Sequence, residues 1–294
     1  MICPRILIIA GSDSGGGAGI QADIKTVTML GGHAMTAITA LTAQNTMGVT
    51  GVMAVPAAFV VEQMEAVISD IGVDAVKIGM IGSAETVHAV ADRLESLSVP
   101  IVFDPVMIAT SGSILADAET IAAFGRLMEL STVTTPNRPE LEALSGQPIA
   151  DERSQAAAAE EVMLATGCPA ILAKGGHWPG GEIRGTSLAG EPFGYSTDNR
   201  LFDELYVLGA EGWQEFSWDH ERIETRHTHG TGCTLASGIA TELGRGCSLP
   251  DAILRARDYL LATLRSAPGY GAGSGPVGHA LGTSPLDWIH KKSR

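Results

Sequence analysis

Short β-rich apolar runs alternate along this chain with longer segments of helical period. The runs Ile6–Ala10, Met35–Thr42, Val52–Val55, Ala75–Ile78, Ile101–Phe103, Thr132–Thr135 and Ala170–Ala173 predict strands. Between Ala57 and Ile71, the positions Val60, Met64, Val67, Ile68 and Ile71 form one apolar stripe, which predicts an amphipathic helix. Further helices are expected near 84–97, 154–166, 232–245 and 250–266. Strands that alternate with helices give an α/β domain whose mostly parallel sheet is covered on both faces. From Trp178 to Arg226 the pattern turns glycine-rich and aromatic, with short alternating runs, and predicts a β-rich excursion at about 178–226. There is no internal repeat and no linker composition, so residues 1–294 are read as a single domain.

Composition narrows the function. The chain has 294 residues, 45% of them hydrophobic, and a formal net charge of −14. That balance argues against binding nucleic acid or an anionic membrane through clustered basic residues. An anionic substrate must then be held by local dipoles. Cys3, Cys168, Cys233 and Cys247 show neither a C-x-x-C pair nor zinc-like spacing, which fits a reducing cytoplasm. The opening MICPRILIIAGSDSGGG has an apolar run too short for a signal segment or a membrane span. A soluble, cytoplasmic protein is expected.

Two glycine-rich segments carry candidate chemistry. GSDSGGGAGIQAD, at 11–23, follows the first strand and opens a helix, so its N–H groups either face an anion or simply make a tight turn. Gly17, Gly19 and Ala22 loosely match G-x-G-x-x-A, but the ribose-binding acid expected about 20 residues on has no counterpart in LTAQN. No lysine follows in Walker spacing, so a P-loop is excluded too. The second segment, HTHGTGCTLASGIA at 227–240, places Gly230, Thr231, Gly232 and Cys233 at a helix start. The N–H groups of Thr231, Gly232 and Cys233 there form an expected nest for a phosphoryl group. Cys233 is either a thiol whose pKa the helix lowers, available as a base, or a small buried hydrophobe. His177, His227 and His229 lack metal-ligand spacing and are read as loop residues near a nucleotide.

GSDSGGGAGIQADIKT, TALTAQNT, KIGMIG, DPVM, TPNRPE, AKGGH, HTHGTGCT and GSGPVGH, in that order from about residue 6 to 282, closely resemble the hydroxymethylpyrimidine/phosphomethylpyrimidine kinases of thiamine biosynthesis, in the ribokinase-like superfamily. Only 181–222 shows nothing to align. The resemblance implies a ribokinase-like three-layer α/β/α sandwich. It makes Cys233 the base, where the superfamily usually carries aspartate, and Gly230 to Cys233 the anion hole. Gln44 matches the residue that hydrogen-bonds the aminopyrimidine, and an amide supplies both donor and acceptor. Asp23 corresponds to a carboxylate near the substrate hydroxymethyl group, though it also reads as a first-turn helix acid. Gly11, Ala18, Met80 and Val106 match the pyrimidine pocket, and the last two read equally as core.

For the nucleotide, Lys174 resembles the lysine that reaches the ATP phosphates. Asn137 and Glu140 match N-x-x-E, which with Asp104 organises magnesium mostly through water; the alternative for N-R-P-E is a capped helix start. The implied activity is ATP- and Mg²⁺-dependent phosphorylation of 4-amino-5-hydroxymethyl-2-methylpyrimidine and then of its monophosphate, in a homodimer. The rival readings are a pyridoxal/pyridoxine kinase of the same superfamily and a catalytically silent pyrimidine-binding protein.

Overall fold

The computed structural model describes residues 3–108, 112, 114–176, 182–186, 192–196, 199–209 and 212–280. The strands β1 (Arg5–Asp13), β2 (His33–Asn45), β3 (Gly48–Ala54), β4 (Ala75–Ile78), β5 (Ile101–Phe103), β6 (Val133–Thr134) and β7 (Ala170–Gly176) arise in chain order. After a separate pair, β8 (Glu182–Thr186) and β9 (Pro192–Ser196), come β10 (Arg200–Gly209) and β11 (Gly212–Glu221). One sheet runs β11-β10-β7-β6-β5-β4-β1-β2-β3. Pairing is parallel from β7 through to β2 and antiparallel at both edges.

Side-chain alternation sorts the strands into two cores. Leu7, Ile9, Val76, Ile78, Ile101, Phe103, Ile171 and Ala173 share one cluster with α2 (Ala57–Asp70), α3 (Ala84–Leu94), α4 (Ala118–Leu130), α5 (Arg138–Ser145) and α6 (Glu152–Thr166). Their neighbours Ile6, Ile8, Ala75, Val102, Val133, Ala170 and Leu172 pack on the other face against α1 (Gly19–Met29), α7 (Thr231–Gly244) and α8 (Leu249–Arg265). This is the three-layer α/β/α sandwich that the alternating pattern requires. Inner strands buried on both faces also explain the near-continuous apolar runs.

Three features depart from the sequence reading. Two helices, α4 and α5, form where the pattern singled out none. Asp117 caps α4 by accepting the Thr120 N–H at 2.8 Å, and Phe124, Leu127 and Met128 bury its stripe. The N-R-P-E segment is the start of α5, closed by a capping box between Asn137 and Glu140. The expected excursion is in large part sheet: β10 pairs antiparallel with β7, and β11 with β10, so this hairpin extends the central layer.

Because β1 lies between β4 and β2, the strand order reverses there. In open α/β sheets a crevice forms beyond the carboxyl ends of the strands at such a switch point. The ends of β1, β2, β4, β5, β6 and β7 meet the N-terminus of α7 around a cleft at this place.

Candidate active site at the tip of α7

Gly230 caps α7 with φ +86°, a left-handed conformation that glycine adopts without strain. A Cβ on Gly230 would also overlap the Gly17 carbonyl oxygen, so the two glycine-rich segments are in backbone contact. The helix behind this cap is buried from Thr234 through Leu243. Thr234 Oγ1 donates to Gly230 O at 2.8 Å and pairs with His279 Nε2 at 3.0 Å, which ties the cap to the late GSGPVGH segment. The Thr231 N–H turns back to Thr228 O at 3.3 Å. The expected three-amide nest thus narrows to Gly232 and Cys233, whose N–H groups have no acceptor one turn earlier in the helix.

The first glycine segment faces an anion of its own. Gly15, Gly17 and Ala18 donate their N–H groups to the Asp13 carboxylate at 2.7, 2.9 and 2.8 Å. Burial raises the pKa of Asp13, but His229 and these amides outweigh it and hold the carboxyl below its ordinary range. Asp13 Oδ2 also lies 2.9 Å from His229 Nε2. A ring nitrogen beside a carboxylate must carry the proton, so His229 Nε2–H donates to Asp13 and cannot accept from Gln44 Nε2, 3.3 Å away. Thr42 has one hydroxyl proton and lies nearer Ser12 O, at 2.9 Å, than Gln44 Oε1, at 3.2 Å. The Gln44 amide therefore keeps its hydrogen-bonding capacity for a ligand. His229 belongs to this half of the cleft and not to a nucleotide loop; His177 lies outside the described residues.

Asp23 does not face the cleft. It is fully buried between α1 and β4, where Lys77 Nζ donates to it at 2.9 Å and Ser237 Oγ at 2.7 Å. Asp23 is not the first-turn acid that the sequence offered as an alternative: α1 starts at Gly19 and has no acid in its first turn, and the buried lysine holds Asp23 inside. Lys77, itself fully buried, lines the cleft with Cys233. Burial disfavours the ammonium, yet Asp23, Cys233 and Asp104 together raise its pKa above the usual lysine value.

The thiol behaves contrary to the sequence expectation. Desolvation pushes the Cys233 pKa up to about 11, although Lys77 and the Gly19 N–H pull it the other way. The tip of the helix lowers it too little to offset a buried setting with Asp23 and Asp104 nearby.

Across the nest, Lys174 Nζ donates to Asp104 Oδ1 at 2.6 Å, and Thr135 Oγ1 to the same oxygen at 3.1 Å. A Cβ on Gly232 would stand 3.3 Å from Asp104 Oδ2 and 3.4 Å from Lys174 Nζ, which places the ion pair directly against the nest. Burial raises the Glu140 pKa to about 7, with Lys174 opposing and Asp104 reinforcing the shift. The Asn137 N–H donates to Glu140 Oε2 at 2.8 Å and the Glu140 N–H to Asn137 Oδ1 at 3.0 Å. The capping box therefore occupies one Asn137 oxygen and one Glu140 oxygen. Among the described residues no three His, Cys, Asp or Glu side chains are grouped to cage a metal. Two neighbouring carboxylates, Asp104 and Glu140, fit magnesium, which keeps waters and phosphate oxygens and takes few protein ligands.

Gly11, Ala18, Gln44, Met80, Asp104, Val106, Asn137, Glu140, Lys174, Gly230, Thr231, Gly232 and Cys233 all line this cleft, and Asp23 stands beneath it. A second cleft lies alongside, between α8, the β10–β11 hairpin and the start of α5, and shares Asn137, Lys174, Thr231 and Gly232 with the first. Two ligands can therefore meet over the α7 tip.

Comparison with known proteins decides the family. The phosphomethylpyrimidine kinase family model matches residues 13–278. The chain belongs to this family. It is 42% identical over 281 residues to the hydroxymethylpyrimidine/phosphomethylpyrimidine kinase of Streptomyces coelicolor, covering 95% of this chain and 96% of that one. It is 45% identical to the thiamine biosynthesis bifunctional protein ThiED of Geobacter sulfurreducens over 94% of this chain, and spans about half, 52%, of that longer relative. Among solved structures, phosphomethylpyrimidine kinase from Clostridium difficile 630 superposes with a TM-score of 0.70 at 34% identity, over 88% of this chain and 98% of that one. The ADP complex of Bacillus subtilis pyridoxal kinase gives 0.79 at 28% identity, over 95% and 98%.

This member of the phosphomethylpyrimidine kinases thus lines its cleft with two residues that sequence reasoning missed, Lys77 and Asp13, and with His229, which the sequence reads only as a loop residue near a nucleotide. The KIGMIG motif contained Lys77, and a lysine inside a buried strand was the signal available. Asp13 and His229 are 216 positions apart, and only the fold brings them together.

Glu140 generates a prediction. Its carboxyl titrates near 4.5 unfolded and about 7 folded, so between these values the native state holds more protons and stability falls as pH rises. Urea unfolding of wild-type protein should show a loss on the order of 2 kcal/mol from pH 5 to pH 8 at this group, removed in Glu140→Gln. Equal pH slopes for the two proteins would contradict the assignment.

Proposed function

We propose that the protein transfers the γ-phosphoryl group of MgATP to the hydroxymethyl oxygen of 4-amino-5-hydroxymethyl-2-methylpyrimidine, and then phosphorylates the resulting monophosphate to the diphosphate. The observation that carries this is the junction of two clefts at Thr231, Gly232 and Lys174, with the free Gln44 amide on one side and an apolar slot on the other. Gln44 reads the exocyclic amine and ring nitrogen of a flat heterocycle between Met80 and Val106. The Gly232 and Cys233 amides hold the equatorial oxygens of the travelling phosphoryl group, which is stabilised mainly by position and charge. Lys174 swings its ammonium from Asp104 toward the phosphates of the second cleft. Asp104 and Glu140 would hold magnesium, which when bound would supply charge neutralisation on the phosphate oxygens.

Cys233 lies beside the incoming alcohol. With a pKa near 11 it stands almost wholly as the thiol at pH 8. The thiol orients the hydroxyl, and the small thiolate fraction, favoured by the Lys77 ammonium, takes the hydroxyl proton late, as the P–O bond forms, and becomes the thiol. A loose transition state demands little of the base's strength.

The pyridoxal kinase reading has its own support, because the Bacillus subtilis structure superposes with a higher TM-score than the Clostridium enzyme does. The sequence identities run the other way. Incubation with MgATP and either hydroxymethylpyrimidine or pyridoxine, followed by mass spectrometry, should show the pyrimidine mono- and diphosphates in preference. Preferential turnover of pyridoxine would transfer the reading to the rival, and no product from any hydroxymethyl heterocycle would favour a binding protein.

For the thiol, Cys233→Ala should lower kcat by about 100-fold, typical of losing a positioned proton acceptor, with pyrimidine KM nearly unchanged. Turnover within about threefold of wild type would remove Cys233 from the proton path.

A homodimer is proposed on exposed apolar side chains of the β2–β3 hairpin, Leu41 (45% exposed), Met47 (69%), Val52 (57%) and Met53 (69%), with Phe59 (54%) of α2. A sheet edge of this kind stays soluble when another surface covers it, and here that surface is a second copy of the chain. Sedimentation at micromolar concentration should give a dimer for wild type and a monomer for the double variant Val52→Lys/Met53→Lys. A monomeric wild type would refute the interface. All four cysteines are free, and none of the described helices is long and apolar enough to cross a membrane. A reducing cytoplasm is the proposed location.

A further inference from the structure

The β10–β11 hairpin lies within the stretch that aligned with no family motif, yet it holds the peptide that follows Lys174. In the pairing of β7 with β10, Ala173 faces Glu204 and Gly176 faces Phe202. Lys174 and Gly175 together therefore oppose the single residue Asp203, which defines a β-bulge at Lys174. Gly175 stands at φ +67° and would lose its ladder partner at such a kink. Its N–H donates instead to Asp203 Oδ1, at 2.8 Å. The other oxygen, Oδ2, accepts from Arg257 Nε of α8 at 2.7 Å, and both side chains are buried. Arg257 Nη2 reaches His220 Nδ1 of β11 at 3.1 Å. A guanidinium only donates, so that nitrogen must accept and the ring must be neutral with its proton on Nε2. Burial, Arg257 and Arg200 all lower the His220 pKa, in keeping with this.

We infer that Asp203, held by Arg257, is a positioning residue that aims Lys174 at the phosphoryl-transfer site. The Gly175 N–H belongs to the peptide that follows Lys174, so gripping it fixes the lysine's backbone torsion and the direction of its side chain. A buried carboxylate clamped by an arginine is rigid enough for this. Bulges next to active sites commonly re-aim a functional side chain. The clamp also links α8 and β11, both walls of the second cleft, to Lys174. The inference rests on the role of Lys174 proposed above.

Steady-state kinetics and thermal midpoints of Asp203→Ala, Asp203→Asn, Gly175→Ala and Lys174→Ala, with the Lys174→Ala doubles, test it. Asp203→Ala should lose about tenfold or more in kcat with pyrimidine KM within about twofold, and Asp203→Asn, which keeps an acceptor oxygen, should stay within about threefold. In the Lys174→Ala background the further loss should shrink to about twofold or less, because Asp203 acts through the lysine. A purely structural role would leave the losses additive and would overturn the proposal, as would a fully active, well-folded Asp203→Ala. Should Asp203→Ala fail to fold, Gly175→Ala carries the same cycle: its Cβ would meet no atom within 4 Å, and alanine at φ +67° strains the very peptide that Asp203 holds. Lys174→Ala with wild-type turnover also overturns it. Amide exchange at Gly175, expected to quicken about tenfold or more in Asp203→Asn/Arg257→Met, reads the clamp even if no substrate is turned over. Unchanged exchange there overturns the clamp separately from the kinase reading.

Discussion

The site depends on one close approach of backbone to backbone. Gly230 meets the Gly17 carbonyl with no room for a Cβ, and this contact sets the tip of α7 against the loop after β1. Everything chemical is arranged around that seam. The Gly232 and Cys233 amides point into the space it creates, Asp104 and Lys174 close on Gly232 from the other side, and Thr234 with His279 locks the cap from behind. Since α7 is buried along its length, the tip cannot drift without disturbing the core beneath it.

Charge in the cleft is arranged in buried pairs. In a chain of net charge −14, the fully buried Lys77 and the partly exposed Lys174 both stand beside the N-terminus of α7. Lys77 is matched by Asp23 and Lys174 by Asp104, so each ammonium is stabilised inside the protein before a substrate arrives. The pairs differ in access. Lys77 and Asp23 are fully enclosed, whereas Lys174 retains 13% side-chain exposure. Lys77 draws Cys233 toward the thiolate, but desolvation dominates and keeps it a thiol.

The β10–β11 hairpin ties the second cleft to this arrangement. Asp203 serves the strand and the lysine at once, with one oxygen on the Gly175 amide and the other on Arg257. A part of the chain without family motifs thereby becomes the outer wall of the second cleft.

Sequence alone determined the layers and most of the cleft. Period-two and period-3.6 patterns are local, and burial on both faces forces inner strands to be continuously apolar, so Ala75–Ile78 and Ile101–Phe103 were legible residue by residue. The Gly230–Cys233 turn was legible because glycines at a helix start carry position-specific meaning, whereas Gln44 and Lys174 were legible through the resemblance of their motifs to the family. The tertiary structure alone decided what those groups experience. Asp23 looked like a substrate contact until Lys77, 54 positions away, drew it under the sheet. The amides after Asp13 looked ready for a ligand until the fold showed Asp13 itself filling them. The helix tip promised a reactive thiolate, but desolvation is a property of every surrounding element together, and it won.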